Sequence, residues 1–214
     1  MDKEVLLRGD IKKVVCSLTS ELDFYFEEKG FKRRKNGLIY TRRIGTTVQK
    51  IEMVFFSNPS YHKKVLAHIY PYMQIYFPDV NNIAKTLAGN LIPEEWISKF
   101  TIRQPLQIYS KSEDWCLRDT TNNYKDLKKE ILTFFDEYMM PLLEELVCED
   151  NYLALYENKD KRIIWDNNQY LYIASAYVNE YKYKEAYQVI EKRFGKPGLR
   201  KQYKEAFSFF VNDA

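Results

Sequence analysis

The sequence predicts an α+β fold, in which an N-terminal helix and an antiparallel β-meander of four to five strands precede a helical C-terminal half. Three observations predict it. Apolar residues first recur at helical spacing, then alternate with the period of two typical of strands, and then return to helical spacing. Strands and helices segregated along a chain indicate α+β architecture, because a parallel α/β sheet needs them to alternate.

The first helix is predicted from apolar residues that recur at helical spacing between Ile11 and Phe26. Asp10 precedes this run as the expected N-cap. Gly30 follows as the expected residue just past the last turn, where a left-handed conformation is common.

A hairpin is predicted next, because Asn36-Gly37 stands between the extended runs 31–35 and 38–43. This dipeptide is the strongest short-range hairpin signal. A two-residue turn here gives a definite register, which pairs Arg33 with Tyr40 and Lys35 with Leu38.

Two further strands are predicted at residues 48–56 and 65–77. In the longer one, apolar residues at odd positions form one face, as expected for a strand with one buried side. Pro71 lies within it and predicts an edge position or a bulge, because proline donates no hydrogen bond to a neighbouring strand. The opposite face carries His68, Tyr70, Tyr72, Gln74 and Tyr76.

The rest of the chain reads mainly as helix. Asp79 is the expected cap of a short helix that Gly89 ends, and Pro141 is expected to kink or divide a long helix over residues 124–146. The other predicted elements are a helical turn at 94–100, a fifth strand at 102–109 broken near Pro105, and helices at 165–178, 183–194 and 199–211.

These elements suggest a division of the chain into an α+β domain, residues 1–150, and a helical C-terminal extension packed on it, residues 151–214. Within the extension, the spacing of small and aromatic residues from Tyr170 to Ile190 is similar to one tetratricopeptide repeat. Stable arrays need about three such repeats, so an ordinary helical hairpin is the favoured interpretation.

Composition excludes several classes of protein. Net charge is +3, from 33 basic and 30 acidic residues, which is too balanced to indicate nucleic acid or an anionic membrane by itself. The three cysteines are widely spaced, and this pattern predicts neither a disulfide framework nor a zinc site. No signal peptide or apolar span is apparent, so we expect a cytoplasmic protein that has no membrane partner.

Six segments within roughly residues 1–150 form a pattern of structural motifs. They are Lys29-Gly30-Phe31-Lys32-Arg33, Ile39-Tyr40-Thr41-Arg42, the strand 50–56, Thr101-Ile102-Arg103-Gln104-Pro105-Leu106, Asp114-Trp115 and Met140-Pro141-Leu142-Leu143. Together they resemble the bacterial domain of unknown function 4304 family. Cys116 departs from the family's pattern, since a second bulky residue after the tryptophan would be usual. The resemblance implies a shared fold and no particular activity.

Two local features are candidate binding surfaces. The hairpin is rich in cations, and its alternation predicts that Lys32, Arg34 and Arg43 cluster in solvent. Such a patch suits phosphate, nucleic acid or an acidic protein, whereas cations on an edge hairpin also prevent aggregation. The face of residues 68–76 offers tyrosine rings to a partner, and it equally suits a half-buried layer whose hydroxyls reach water.

No catalytic motif, metal-binding spacing or cofactor-binding loop is apparent. The three cysteines and two histidines allow a nucleophile pair, for example Cys116 with His68. We therefore expect a non-enzymatic protein, without cofactor, that binds another macromolecule, in an immunity-like or regulatory role by analogy with other small α+β families. The expected partner is a protein. The alternatives are a nucleic-acid-associated protein that uses the basic hairpin 29–43, and a hydrolase with a dispersed active site.

Overall fold

The computed structural model describes residues 8–34, 37–61, 64–106, 115–118 and 122–212. These residues form an antiparallel sheet. Along the chain, helices precede the strands, separate β4 from β5 and follow the last strand, so the predicted α+β class with a helical C-terminal half is confirmed. The predicted hairpin residues Lys35 and Asn36, and the end of the predicted fifth strand at 107–109, lie outside the described residues.

The predicted first helix is two helices, α1 (Arg8–Glu21) and α2 (Asp23–Glu28), that meet at Leu22. The N-cap prediction for Asp10 is wrong, because α1 already includes Arg8 and Asp10 lies in its first turn. An acid there still favours the helix, since the N-terminus carries partial positive charge. Gly30 has a φ of 80°, and the amides of Gly30 and Phe31 donate to Glu27 and Phe26, which closes α2.

The sheet has the strand order β1-β2-β3-β4-β5, and β6 pairs with β4 outside this path. Lys32 pairs with Thr41 and Arg33 with Tyr40, so the hairpin register predicted from Asn36-Gly37 is confirmed. The sequence did not predict β6. The strands are β1 (Lys32–Arg33), β2 (Ile39–Ile44), β3 (Thr47–Ser57), β4 (Ala67–Tyr76), β5 (Ile102–Pro105) and β6 (Trp115–Leu117).

The edge position inferred from Pro71 is wrong, because β4 has β3 on one side and both β5 and β6 on the other. The register with β6 covers residues 67–69 and stops short of Pro71. The amide of Thr101, beside β5, then donates to the carbonyl of Ile75 further along β4. An interior strand tolerates this proline, because these bonds lie before and after Pro71 in the strand.

The helices in the middle of the chain follow the predicted pattern with one change, at the start of α3. Asp79 is not the cap of α3, because Pro78 occupies the first helical position and Phe77 is the N-cap. Pro141 does divide the long helix, since a π-helical turn (Phe135–Met139) separates α5 from α6. Proline cannot donate the usual helical bond, and an extra-wide turn accommodates the loss. These helices are α3 (Pro78–Ala88), α4 (Glu94–Ile97), α5 (Asn122–Phe134) and α6 (Met140–Glu145).

Five helices complete the described chain. Asp166 caps α8, as its side chain accepts a bond of 2.9 Å from the amide of Gln169. Residues 199–211, predicted as one helix, are divided between two helices that meet at Tyr203. The helices are α7 (Glu149–Glu157), α8 (Asn167–Asn179), α9 (Tyr183–Phe194), α10 (Pro197–Gln202) and α11 (Lys204–Asn212).

The chain forms two compact units. The first contains residues 1–42, 49–73 and 105–143, and the second contains 43–48, 74–104 and 144–214. Both units draw on distant parts of the chain. The predicted division into 1–150 and 151–214 stays a prediction.

The first unit has an aromatic core. The ring of Phe26 lies 4.1 Å from that of Tyr40 and 5.0 Å from that of Phe135. The ring of Trp115, on β6, packs edge-to-face on Phe134 at 5.0 Å. The hydroxyl of Tyr40 donates to the carbonyl of Thr19 at 2.5 Å, so this buried polar group is satisfied.

The second unit is organised around buried polar side chains. The hydroxyl of Tyr152 donates to Gln169 at 2.7 Å, and the Gln169 amide donates to the carbonyl of Thr101 at 2.9 Å. The hydroxyl of Thr101 bonds in turn to the Asn81 side chain. A satisfied network of this kind fixes the helices that contribute to it, because each unpaired member would carry its full desolvation cost.

Tyr181 occupies the position just past α8 that glycine usually takes, with a φ of 59° and 83% of its surface exposed. A side chain in this left-handed conformation is strained. We expect Tyr181→Gly to raise the free energy of unfolding by about 0.5–1 kcal/mol. Tyr183→Gly, within α9, should lower it by a similar amount. Urea unfolding with an unchanged m-value measures both, and a destabilised Tyr181→Gly would contradict the prediction.

Arg162 holds the loop between α7 and α8, with bonds to Asp160 and to Glu145 at the end of α6. The hydrogen bond from Arg162 lowers the pKa of Asp160 below its ordinary value of 3.8. A lowered folded-state pKa contributes stability above the unfolded value, and this stability is lost as the pH falls through the folded value.

We therefore expect the free energy of unfolding of Arg162→Gln to fall less steeply than that of the parent protein below about pH 4. The difference should be under about 1 kcal/mol, because the groups are partly exposed. Urea unfolding across a pH series measures this effect. Lys184→Gln, which removes an equal charge from α9, is the control. The prediction is contradicted if Arg162→Gln and Lys184→Gln both lose stability with falling pH as steeply as the parent protein.

Candidate functional site

The candidate site lies on strand β4, where buried and half-buried residues alternate from Ile69 to Tyr76. Ala67, Ile69, Met73 and Ile75 are fully buried, which confirms the apolar face predicted from the sequence. The polar-aromatic residues occupy the other face. Tyr70, Tyr72, Gln74 and Tyr76 are half-buried there, and His68 is buried with 6% of its surface exposed.

The rings on this face contact one another in sequence. The His68 ring lies 5.7 Å from that of Tyr70, and the Tyr70 ring lies 5.6 Å from that of Tyr72. Both pairs are edge-to-face, the geometry that aromatic quadrupoles favour. The contacts hold the three rings in fixed positions along the strand.

Two residues that the sequence did not single out extend this row. The hydroxyl of Tyr61 and Nδ1 of His68 are 2.9 Å apart, and the Phe56 ring lies 6.4 Å from the imidazole. Phe56 is 48% exposed and Tyr61 is 61% exposed. We call Phe56, Tyr61, His68, Tyr70 and Tyr72 the aromatic surface. Tyr61 lies in a loop, where no periodic pattern could have indicated its position.

The structure also brings together the two residues proposed as a nucleophile pair. Cys116 on β6 is the direct partner of His68 on β4. Side chains of directly opposed residues have Cβ atoms about 4.5–5.5 Å apart. Cys116 is only 3% exposed, however, and this burial shields the thiol from a substrate or reagent.

The hairpin cations predicted to face solvent are Lys32, Arg34 and Arg43, and all three are exposed. The other two arginines of the hairpin bind within the protein. Arg33 forms an ion pair with Asp23 at 3.2 Å. Arg42 donates to Gln49 at 2.6 Å and lies over the Phe31 ring at 4.6 Å.

Among the described residues, no group of three or more His, Cys, Asp or Glu side chains is arranged to hold a metal ion. No helix in this part of the chain combines the length and the apolar character that a membrane crossing requires. No protein-family model, curated protein or solved structure matches the chain. The resemblance to the domain of unknown function 4304 family therefore stays a prediction.

The burial of Cys116 generates a prediction that separates a structural thiol from a catalytic one. In the folded protein we expect Cys16 and Cys148, which are half-buried, to react with iodoacetamide before Cys116, because a buried thiol is shielded from the reagent. Mass spectrometry of digests taken over a time course gives the order. Cys116 reacting first at neutral pH would instead support the hydrolase interpretation, because an activated thiolate is the better nucleophile.

Proposed function

We propose that the protein is a non-enzymatic binding protein, and that the aromatic surface contacts a protein partner. The observation that carries the proposal is the exposure of Phe56 and Tyr61 beside the fixed rings of Tyr70 and Tyr72. Exposed large aromatic side chains that adjoin one another are typical of interaction sites, whereas scattered ones are ordinary on protein surfaces.

The geometry favours recognition because the rings are already immobilised. Tyr61 is held by its hydrogen bond to the buried His68, and Tyr70 packs between His68 and Tyr72. A side chain ordered before binding loses little further entropy on association. Tyrosine adds contact area and a hydroxyl, which is why it is enriched among the residues that dominate interface energies.

The pairing of the strands supports one exposed cation on the same side of the sheet as the aromatic surface. Arg42 on β2 reaches Gln49 on the buried face of β3, so Thr41 points to the opposite face. Lys32 is the direct partner of Thr41 and shares that face, which is also the face of Phe56 and Tyr70. The exposed Lys32 therefore lies on the aromatic side of the sheet and favours a partner with acidic groups.

By analogy with other small α+β families, we extend this proposal to an immunity-like or regulatory role, in which the protein acts by occupying its partner. Membership of the bacterial domain of unknown function 4304 family, proposed from the sequence, is compatible with that role. The cytoplasm is the proposed location.

The proposal is tested by placing a photocrosslinking amino acid at Phe56 and, in a matched protein, at Phe24. Phe24 is 71% exposed on α2 and lies outside the aromatic surface. We expect a protein to crosslink at Phe56 and not at Phe24. In the complex reconstituted from purified proteins, Phe56→Ala and Tyr61→Ala should each weaken binding by about 10-fold or more, measured by calorimetry.

Phe24→Ala should leave the affinity unchanged, and Tyr61→Phe separates the ring of Tyr61 from its hydroxyl. Unfolding curves show whether each variant is folded. Equal crosslinking at both positions, or a reconstituted complex that tolerates both alanine variants, would refute the proposal.

The second candidate, nucleic-acid binding, is favoured by the exposure of the three hairpin cations, Lys32, Arg34 and Arg43. Contacts to phosphate release counterions, so such binding weakens steeply between about 50 and 200 mM salt. Fluorescence anisotropy measures the affinity for a labelled duplex at both salt concentrations, for the parent protein and for Arg34→Ala and Arg43→Ala. No binding at the lower concentration removes this candidate.

A further inference from the structure

A cleft of about 470 Å³ lies in the second unit, among the end of α7, the loop that follows it and the helices α8 and α9. Its volume falls within the range of about 300–1,000 Å³ that is usual for small-molecule sites. It is separate in sequence from the aromatic surface, and none of its lining residues belongs to that surface.

One wall of the cleft is aromatic. The Tyr156 ring lies 5.5 Å from the Trp165 indole and 6.1 Å from the Tyr170 ring, edge-to-face in both cases. The indole N–H of Trp165 donates to the carbonyl of Asp160 at 2.8 Å, and the indole stacks on the buried ring of Tyr152. These contacts fix the wall before any ligand arrives.

The other wall is cationic. Lys159, Lys192 and Arg193 line it, against one acid, Glu157, which accepts a hydrogen bond from Tyr177. Cations at the end of α9 also favour the helix by offsetting its terminal dipole. That role accounts for Lys192 and Arg193, but it does not account for Lys159 or for the aromatic wall.

The guanidinium of Arg193 is positioned by two contacts. It lies 4.6 Å above the Tyr170 ring, and its Nε donates to the Asn167 side chain at 3.0 Å. Its two terminal nitrogens retain the forked donor geometry that matches phosphate oxygens. Lys159 has a φ of 51°, a left-handed conformation that is uncommon for a residue with a side chain.

We propose that this cleft binds a nucleotide, with the base against Trp165 and Tyr156 and the phosphate between Lys192 and Arg193. A planar aromatic group suits the first wall, because stacking on aromatic side chains accepts any base. The charge of a phosphate suits three cations better than the single charge of a carboxylate does. Free nucleotides and the nucleotides of a single strand share this chemistry.

The test uses the full chain and adenosine 5′-monophosphate as the probe. Isothermal calorimetry is compared for this nucleotide, for adenosine and for inorganic phosphate. We expect the nucleotide to bind at least about 10-fold more tightly than adenosine or phosphate alone, because each of these meets only one wall. Arg193→Gln should weaken nucleotide binding by about 10-fold or more, because it removes charged hydrogen bonds to phosphate.

Lys184→Gln removes an equal charge from α9 outside the cleft and is the matched control, which should bind like the parent protein. Trp165→Phe keeps an aromatic ring and should abolish most of the ligand-dependent tryptophan fluorescence change, whether or not affinity falls. Thermal melting confirms that each variant is folded.

A short single-stranded oligonucleotide distinguishes the two sources of the ligand. Binding tighter than that of the mononucleotide, with the same loss in Arg193→Gln, assigns the cleft to a strand, and equal or weaker binding assigns it to a free nucleotide. The proposal is overturned if the nucleotide does not bind at millimolar concentration, if it binds no better than adenosine, or if Arg193→Gln and Lys184→Gln behave alike.

Discussion

The alternation of burial along β4 is the constraint on which most of the first unit depends. Its odd residues, including Ala67 and Ile69, are sealed in the core, and its even residues carry the aromatic row. A shift of one residue would exchange the two faces, so the register with β6 at Ile69 and Trp115 is fixed by the core. The aromatic surface is therefore a consequence of how the core is filled.

The parts of the fold that follow from the sequence are those with strong local signals. Asn36-Gly37 was sufficient to predict the register of Arg33 with Tyr40. The run Gly195-Lys196-Pro197-Gly198, rich in helix-breaking residues, was sufficient to predict the end of α9 at Phe194. Local signals fail at the first residues of helices. Asp10 and Asp79 were predicted as N-caps, and each lies in the first turn of its helix instead. The prediction fails because an acid in the first turn and an acid at the N-cap look alike in sequence.

Long-range features could not be predicted in the same way. The strand β6 has three residues, too few for a periodic pattern. Pro71 indicated an edge position or a bulge, and the edge position is wrong because neighbouring strands pair with β4 on both sides. The cleft brings together residues from α7, α8, α9 and a loop, so no spacing in the sequence connects Trp165 with Arg193. In the sequence, these residues belong to separate helices and a loop, and no local pattern distinguishes them.

The high tyrosine content, 18 residues, has a structural basis that connects the core to both candidate sites. The buried Tyr40, Tyr152 and Tyr177 donate their hydroxyls to acceptors within the protein. Desolvation raises the pKa of Tyr152, so it remains a neutral donor. At the two candidate sites, a less buried ring contacts a buried neighbour: Tyr61 bonds to His68, and the half-buried Trp165 stacks on Tyr152. Because folding already covers the entropic cost of ordering these rings, a partner or ligand can gain their full contact area on binding.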